Sequence, residues 1–523
     1  MGPARLLHSR LTPLTLPGAA LAVLSCAAPA SRSGSAAGDR LAPLRREDAV
    51  WLERVSFGLE SATVADYRRL GRERYLEEQL HGGPAEDLPP PIAAQIQELS
   101  AQQAAPERRL QELQERRKTI NAMADGPAKE QARKLLNDEA GQSAYRAIRL
   151  ELLRAVYSPA QLREQMVWFW LNHFSVFQYK ADLRWLISDY EEQAIRPYAL
   201  GRFHDLVLAT LEHPAMLQYL DNSQNAAGHI NENYARELME LHTLGVNGGY
   251  SQQDVQQLAR VLTGVGVNAG PAPHLKPEWR DLYVRRGAFE FNPARHDYSD
   301  KQFLGHTIKG RGLAEVDEAL DILVHHPATA THLSRQIATY FASDNPPDAL
   351  VRKMAQTFAS SNGDIAAVLS TMVHAVEFSA SLKPGTRFKD PVQYVLSAVR
   401  LAYDNKVILS TTPIQGWLNR MGEGLFNHET PDGYPMTSAS WNGPGQMLVR
   451  FEVARAIGSS SAGLFKPDGP NAVDQPAFPL IQNALYFNGL KRTLGPSTLA
   501  ALDKAISPQD WNTLYLSSPE FMH

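Results

Sequence analysis

A single cysteine, Cys26, stands in a chain of 523 residues. That excludes an internal disulfide framework and any cysteine-rich zinc or iron–sulfur site. Charge of one sign is also lacking: 52 basic and 56 acidic side chains leave a formal net charge of −4. No electrostatic footprint points to nucleic acid as a partner. Beyond the N-terminus no run of 18 apolar residues occurs, so no transmembrane span is expected. Equally missing are a P-loop, a Rossmann glycine fingerprint after a strand and a G-x-S-x-G elbow. The common nucleotide, dinucleotide and α/β-hydrolase readings lose their ground. What is present is ordinary globular usage, 44% apolar and 21% charged, enough for several units of ~150 residues or one large domain.

The N-terminus reads as an address. Arg5 and Arg10 precede an apolar stretch, Leu14 to Ala30, broken by Pro17 and Gly18. This is the charged-then-apolar order of a signal peptide, expected over residues 1–30. Two exits are open. Ala28-Pro29-Ala30 is an A-x-A cleavage site, whereas Val23-Leu24-Ser25-Cys26 resembles a bacterial lipobox and would place a lipid on Cys26. Residues 31–44, rich in Ser, Gly and Ala, read as a flexible tether. The mature chain is therefore expected to be exported: periplasmic, extracellular or anchored to the outer membrane.

From residue 45 to 523 helical periodicity dominates. Val50, Leu52, Val55 and Phe57 open it, and Pro89-Pro90-Pro91 reads as the end of the first unit. Residues 92–157 form a charged stretch broken at Gly126-Pro127, which predicts a protruding helical hairpin and a site for an exported partner protein. Helices are expected over 160–177, 183–195, 202–211, 232–244 and 251–262, the last capped by Ser251 with Asp254 at N3. Residues 271–309 carry Gly, Pro and a mixed pattern that predicts a small β insert. Residues 422–444, aperiodic and rich in Gly, Asn, Tyr and Trp, read as an ordered loop. The fold class is mostly α: a large multi-helix single domain with a small β insert and the hairpin.

Polar groups concentrate at five places. The Trp168–Phe174 segment sets Asn172 and His173 beside Trp170, two polar handles among stacking rings. On the 232–244 helix, Glu232, Arg236 and Glu240 form an i,i+4 ladder that is structural by default. Asn233 and Glu237 lie four apart on a neighbouring face, and His242 follows. Glu237 borders the apolar stripe without a basic residue four positions on, and a desolvated carboxyl there is a fit general acid or base. Glu237 and His242 are five apart, a poor spacing for one α-helical face and unlike an H-E-x-x-H zinc site. His296-Asp297 reads as a solvated turn. His326-Pro327-Ala328-Thr329 leads into a helix, with Thr329 or the preceding turn as its cap. The 428–442 loop gathers His428, Asp432, Tyr434 and Trp441, a mixture that grips a polar ligand such as a sugar or locks the loop upon itself.

Taken together these stretches resemble a bacterial family called domain of unknown function 1800. The resemblance starts at Val55-Ser56-Phe57-Gly58 and runs through Met166–Phe174 and His213-Pro214-Ala215-Met216-Leu217-Gln218-Tyr219-Leu220-Asp221-Asn222. It is densest over Asn231–Val246 and Ala259-Arg260-Val261-Leu262-Thr263-Gly264, and continues through Pro431-Asp432-Gly433-Tyr434 to Ser518-Pro519-Glu520-Phe521. Val265 departs from it, where the family often carries tryptophan. The resemblance implies an exported, largely helical bacterial protein and supplies no reaction.

Three functions compete. One is a hydrolase acting on an envelope or extracellular polymer, a polysaccharide in the first instance. Its catalytic groups would be Glu237 and His173, with Asp432 or Glu232 as the second carboxylate. Asn172, Trp170, Asn233, Arg236, His242, Tyr434 and Trp441 would hold substrate. The second is a metal-dependent enzyme on His173, Glu237 and His242 or His326, and the third a non-catalytic envelope scaffold. No cofactor is legible. The Trp168–Phe174 and Glu232–Gly245 helices are expected to pack together, bringing His173 and Glu237 to one cleft.

Overall fold

The computed structural model describes residues 43–82, 88–383, 386–467, 472–475 and 477–523. The signal peptide, the lipobox and most of the tether fall outside the described residues. Leu44, expected in the tether, already belongs to the body: it is buried and its N–H donates to Asn488 C=O at 2.9 Å.

The chain opens with α1 (Arg46–Arg54), α2 (Ser61–Leu70) and α3 (Arg72–His81). Trp51 of α1 meets Tyr67 and Tyr75 at ring distances of 5.9 and 6.1 Å, an aromatic trio that ties the three together. The prolines at 90 and 91 begin a helix instead of ending a unit, because a first-turn proline forfeits no helical hydrogen bond. They start α4 (Pro90–Ala101), followed by α5 (Pro106–Ala122) and α6 (Pro127–Tyr157). Where two helices were expected in residues 92–157 there are three, since Pro106 starts one of its own. The α5–α6 hairpin turns at Gly126-Pro127, and residues 121–139 at its tip include no buried side chain. Deeper in, Leu110, Leu113, Ala144 and Ala147 are buried.

Next come α7 (Gln161–His173), α8 (Leu183–Asp189), which widens into a π-helix over Tyr190–Ile195, α9 (Phe203–Glu212) and α10 (Pro214–Tyr219). Then α11 (Asn233–Glu237) runs into a second π-helix, Leu238–Thr243, before α12 (Gln252–Val261) with its expected Ser251/Asp254 capping box.

The β insert forms two small antiparallel sheets. In one, β1 (Val265–Val267) and β2 (Val284–Arg286) flank β3 (Phe289–Phe291), with Val265 and Val284 both opposite Phe291. In the other, β4 (Lys301–Phe303) pairs with β5 (His306–Ile308). Leu304 and Gly305 join them at φ of 47° and 80°, the doubly positive turn that matches strand twist.

The second half comprises α13 (Ala314–Val324), α14 (Pro327–Phe341), α15 (Asp348–Ser360), α16 (Ile365–His374), α17 (Val376–Ser381), α18 (Pro391–Tyr403), α19 (Thr412–Arg420) and α20 (Pro444–Gly458). Four short helices close the chain: α21 (Ala484–Asn488), α22 (Pro496–Leu502), α23 (Pro508–Leu516) and α24 (Pro519–Met522). Every residue of α18 is buried, so it is the central helix of the core. Gly58 approaches it so closely, at φ 98°, that a Cβ would stand 2.5 Å from Ser397 Cβ.

A buried charge network fixes α7. Arg196 pairs with Glu151 of α6, with Glu164 of α7 at 2.8 Å and with Glu191 of the first π-helix at 2.8 Å. Glu192 joins through Arg154. Burial, followed by the Glu191 charge, pushes Glu151 well above the ordinary carboxyl range. Its Oε1 accepts no hydrogen bond among the described residues, and burial raises Glu191 above the ordinary range as well.

Candidate functional site

The expected continuous helix over 232–244 has an α first turn and a π second turn. Thr243 Oγ1 donates to Leu238 C=O, five residues back, at 2.7 Å. The wider turn carries His242 into the core at 1% exposure, while Glu237, on the last α position, stays half-buried. The ladder forms as read, with Arg236 3.2 Å from Glu232 and 3.4 Å from Glu240. Asn233 is spent on structure: its amide donates to Leu220 C=O at 3.1 Å.

Opposite stands the 422–444 loop, held by α7. Asn172 Nδ2 donates to Tyr434 C=O at 2.9 Å and its Oδ1 accepts from Tyr434 N–H at 2.6 Å. Gly433, at φ 70°, passes so near that a Cβ would lie 2.3 Å from the Asn172 carbonyl oxygen. The loop's own rings lock the rest. Tyr434 hydroxyl donates to Gly424 C=O at 2.8 Å, and Trp441 Nε1 donates to Pro435 C=O at 2.9 Å. The loop locks upon itself, one of its two readings, and the locked frame leaves His428, Thr430 and Asp432 toward the surface.

Two carboxyls of opposite character result. Burial raises Glu237 above the ordinary range, and the charges of Glu240 and Asp432 add to it against Arg236. Partial burial also pushes Asp432 up. Hydrogen bonds from Thr430 Oγ1 at 2.5 Å and His428 Nε2 at 3.1 Å outweigh it and hold Asp432 below the usual range. Tyr219 lies within reach of both charges and donates to Glu429 C=O at 2.8 Å. Lys180 reaches across from the segment after α7 to Asp221 at 2.8 Å.

Several expected members do not join them. Trp170 is wholly buried with its Nε1 donating to Ala199 C=O at 2.9 Å, so it is core and touches no ligand. The two helices do meet, through His173 Nε2 at 3.1 Å from His242 C=O, but behind the surface and not in one cleft with Glu237. Burial, aided by His332, pushes His173 down to about 3 and lowers His242 strongly, so both rings are neutral. Among the described residues no three His, Cys, Asp or Glu side chains gather to hold a metal ion. The expected set does not assemble: His326 Nδ1 instead caps α14 by accepting from Ala328 N–H at 3.2 Å. His213 caps α10 in the same way. Nor is His296 a solvated turn. Its Nε2 lies 2.9 Å from Glu315, whose other oxygen takes buried Lys301 at 2.5 Å. Glu315 also accepts the N–H groups of Arg311 and Gly312 at the start of α13, so it stays ionised in the core and collects a cation.

A family model described as a protein of unknown function (DUF1800) matches residues 50–523. The chain belongs to the DUF1800 family. No curated protein and no solved structure matches it. In this DUF1800 chain the site draws on groups that the residue-by-residue reading passed over: Tyr219, Lys180, Asp221 and Thr430. The only sequence signal for Tyr219 and Asp221 is their place in the His213–Asn222 stretch that carries the resemblance.

Proposed function

We propose that this DUF1800 protein is an exported hydrolase that cleaves an envelope or extracellular polymer, of polysaccharide class, by paired-carboxylate chemistry. One observation supports the reading above the others: the Asp432 charge adds to the rise of Glu237, and the surroundings of the two carboxyls push their proton affinities apart. Divergence of that kind separates an acid from a base. Glu237, protonated, donates to the leaving oxygen. Asp432, kept ionised by Thr430 and His428, takes the proton of the attacking water or attacks the sugar carbon itself. Tyr219 and Tyr434 offer ring surface beside the pair, and Arg236 and Lys180 offer donors to hydroxyls. Asn172 and Trp441 position the loop rather than touch substrate.

The test is release of reducing ends from a panel of envelope and extracellular polysaccharides by the mature chain. Glu237→Gln and Asp432→Asn should each lower turnover 10²- to 10⁴-fold with an unchanged melting temperature. The active chain should show a bell-shaped pH profile whose acid limb belongs to Asp432 and whose alkaline limb belongs to Glu237. Full turnover in Glu237→Gln overturns the assignment. Export is tested by cell fractionation, in which recovery of the chain in the cytoplasm with Met1 retained would refute it.

A further inference from the structure

Away from that site, a cavity of about 20 Å³ lies between α1, the turn at Gly58 and the face of α18 that carries Gln393 and Ser397. Three cations line it: Arg54, Arg387 and Lys389. Arg387 is 6% exposed, yet among the described residues its guanidinium makes no hydrogen bond and no ion pair within 4 Å. Its one close partner is the Tyr340 ring, 5.0 Å away. Among the described residues the Arg54 guanidinium donates only to Thr386 Oγ1, at 3.1 Å. Lys389 donates to Phe521 C=O at 2.7 Å and stands 3.9 Å from Glu53.

The carboxylates that surround Arg387 are engaged elsewhere. Asp390 accepts from Gln393 N–H, Glu423 from Val392 N–H, and Asp344 from Ser438 N–H and Oγ. Burial lowers Arg54 to about 9, with Arg387 next among the causes, and burial lowers Arg387 as well. Two desolvated guanidinium groups thus repel each other across a polar cavity. The Glu53 carboxylate also lines the cavity, and the charges of Asp390, Asp344 and Glu423 offset part of the burial of Arg387. The N–H donors of Arg387 still meet no acceptor among the described residues, and an anion in the cavity would supply one.

We propose that this cavity binds a carboxylate group, held by the Arg387 fork with Arg54 and Lys389 around it. A planar guanidinium matches a planar carboxylate through two parallel hydrogen bonds, and a space this small, just above what one water needs, favours carboxylate over phosphate or sulfate. The group could come from a free monocarboxylic acid or from the end of a larger acid.

The probes are acetate for the free acid and succinate for the larger one, titrated calorimetrically into the mature chain at constant ionic strength. Chloride and sulfate serve as comparison anions. Saturable acetate binding that raises the melting temperature, with chloride and sulfate at least tenfold weaker, is expected. Arg387→Gln should weaken acetate at least tenfold, and Arg387→Lys, which keeps the charge but loses the fork, should weaken it to a lesser degree. Succinate binding as well as acetate assigns the site to larger acids; acetate alone assigns it to the free monocarboxylate. Should Arg387→Gln fail to fold, competition of unlabelled acetate against carbon-13 acetate on the unmodified chain takes its place: saturable displacement supports the site, and its absence overturns it. Equal responses to all four anions, or an acetate response that survives Arg387→Gln, overturns the proposal.

Discussion

Burial and the Glu191 charge raise the Glu151 carboxyl in the core, and the consequence is a stability that depends on pH in an unusual direction. In the unfolded chain Glu151 ionises near 4.5; in the folded chain burial and the Glu191 charge keep it protonated well above that. Folding therefore retains a proton that the unfolded chain releases, so this group's contribution falls as pH rises from 4.5 toward its folded value. The slope is about 1.4 kcal/mol per pH unit. Glu151→Gln mimics the protonated carboxyl: its amide can donate to Glu191 and its oxygen can still accept from Arg196. The variant is therefore expected to escape the slope. Urea unfolding of both chains between pH 4.5 and 6.5 should show their difference growing in favour of Glu151→Gln as pH rises, at up to about 1.4 kcal/mol per pH unit. Arg196→Met is the contrast. It strips Glu151, Glu164 and Glu191 of their common cation and should cost about 3–5 kcal/mol at pH 7. Parallel stability curves for the original chain and Glu151→Gln would refute the raised Glu151 carboxyl. So would a uniform loss in Glu151→Gln of the size expected for Arg196→Met.

Asn172→Ala removes both hydrogen bonds to the Tyr434 backbone and should destabilise by about 1–3 kcal/mol, with faster proteolysis at the 422–444 loop as the direct readout. Gly433→Ala meets the Asn172 carbonyl and a positive φ, so about 2–4 kcal/mol should be lost in thermal unfolding. Gly58→Ala, pressed against Ser397 of the central helix, should cost at least as much in the same assay. His173 is held down to about 3, below its unfolded value of 6.5. Its contribution to stability is therefore complete above pH 6.5 and is lost as pH falls toward 3. Its ring signals in NMR should not titrate between pH 5 and 8.

Periodicity alone determined the helical class, because an apolar residue every three or four positions has few other ways to be buried. It also placed α9, α12 and the capping box within a residue, since Ser251 and Asp254 act locally. The resemblance carried by Asn231–Val246 led to the family. Tertiary structure decided what local rules cannot reach. The π turns at 190–195 and 238–243 arise from packing and moved His242 from the expected surface into the core. Pro90-Pro91, read as a stop, became a start, since proline punctuates both ends of helices. His296 and Lys301, 14 and more residues from Glu315 in sequence, became a buried ion network only when the fold brought them to that carboxylate, which also takes the backbone N–H groups of Arg311 and Gly312 just before α13. Asn172 and Tyr434 lie 262 positions apart. Only the fold could show that the asparagine amide is a clamp for the loop that carries Asp432.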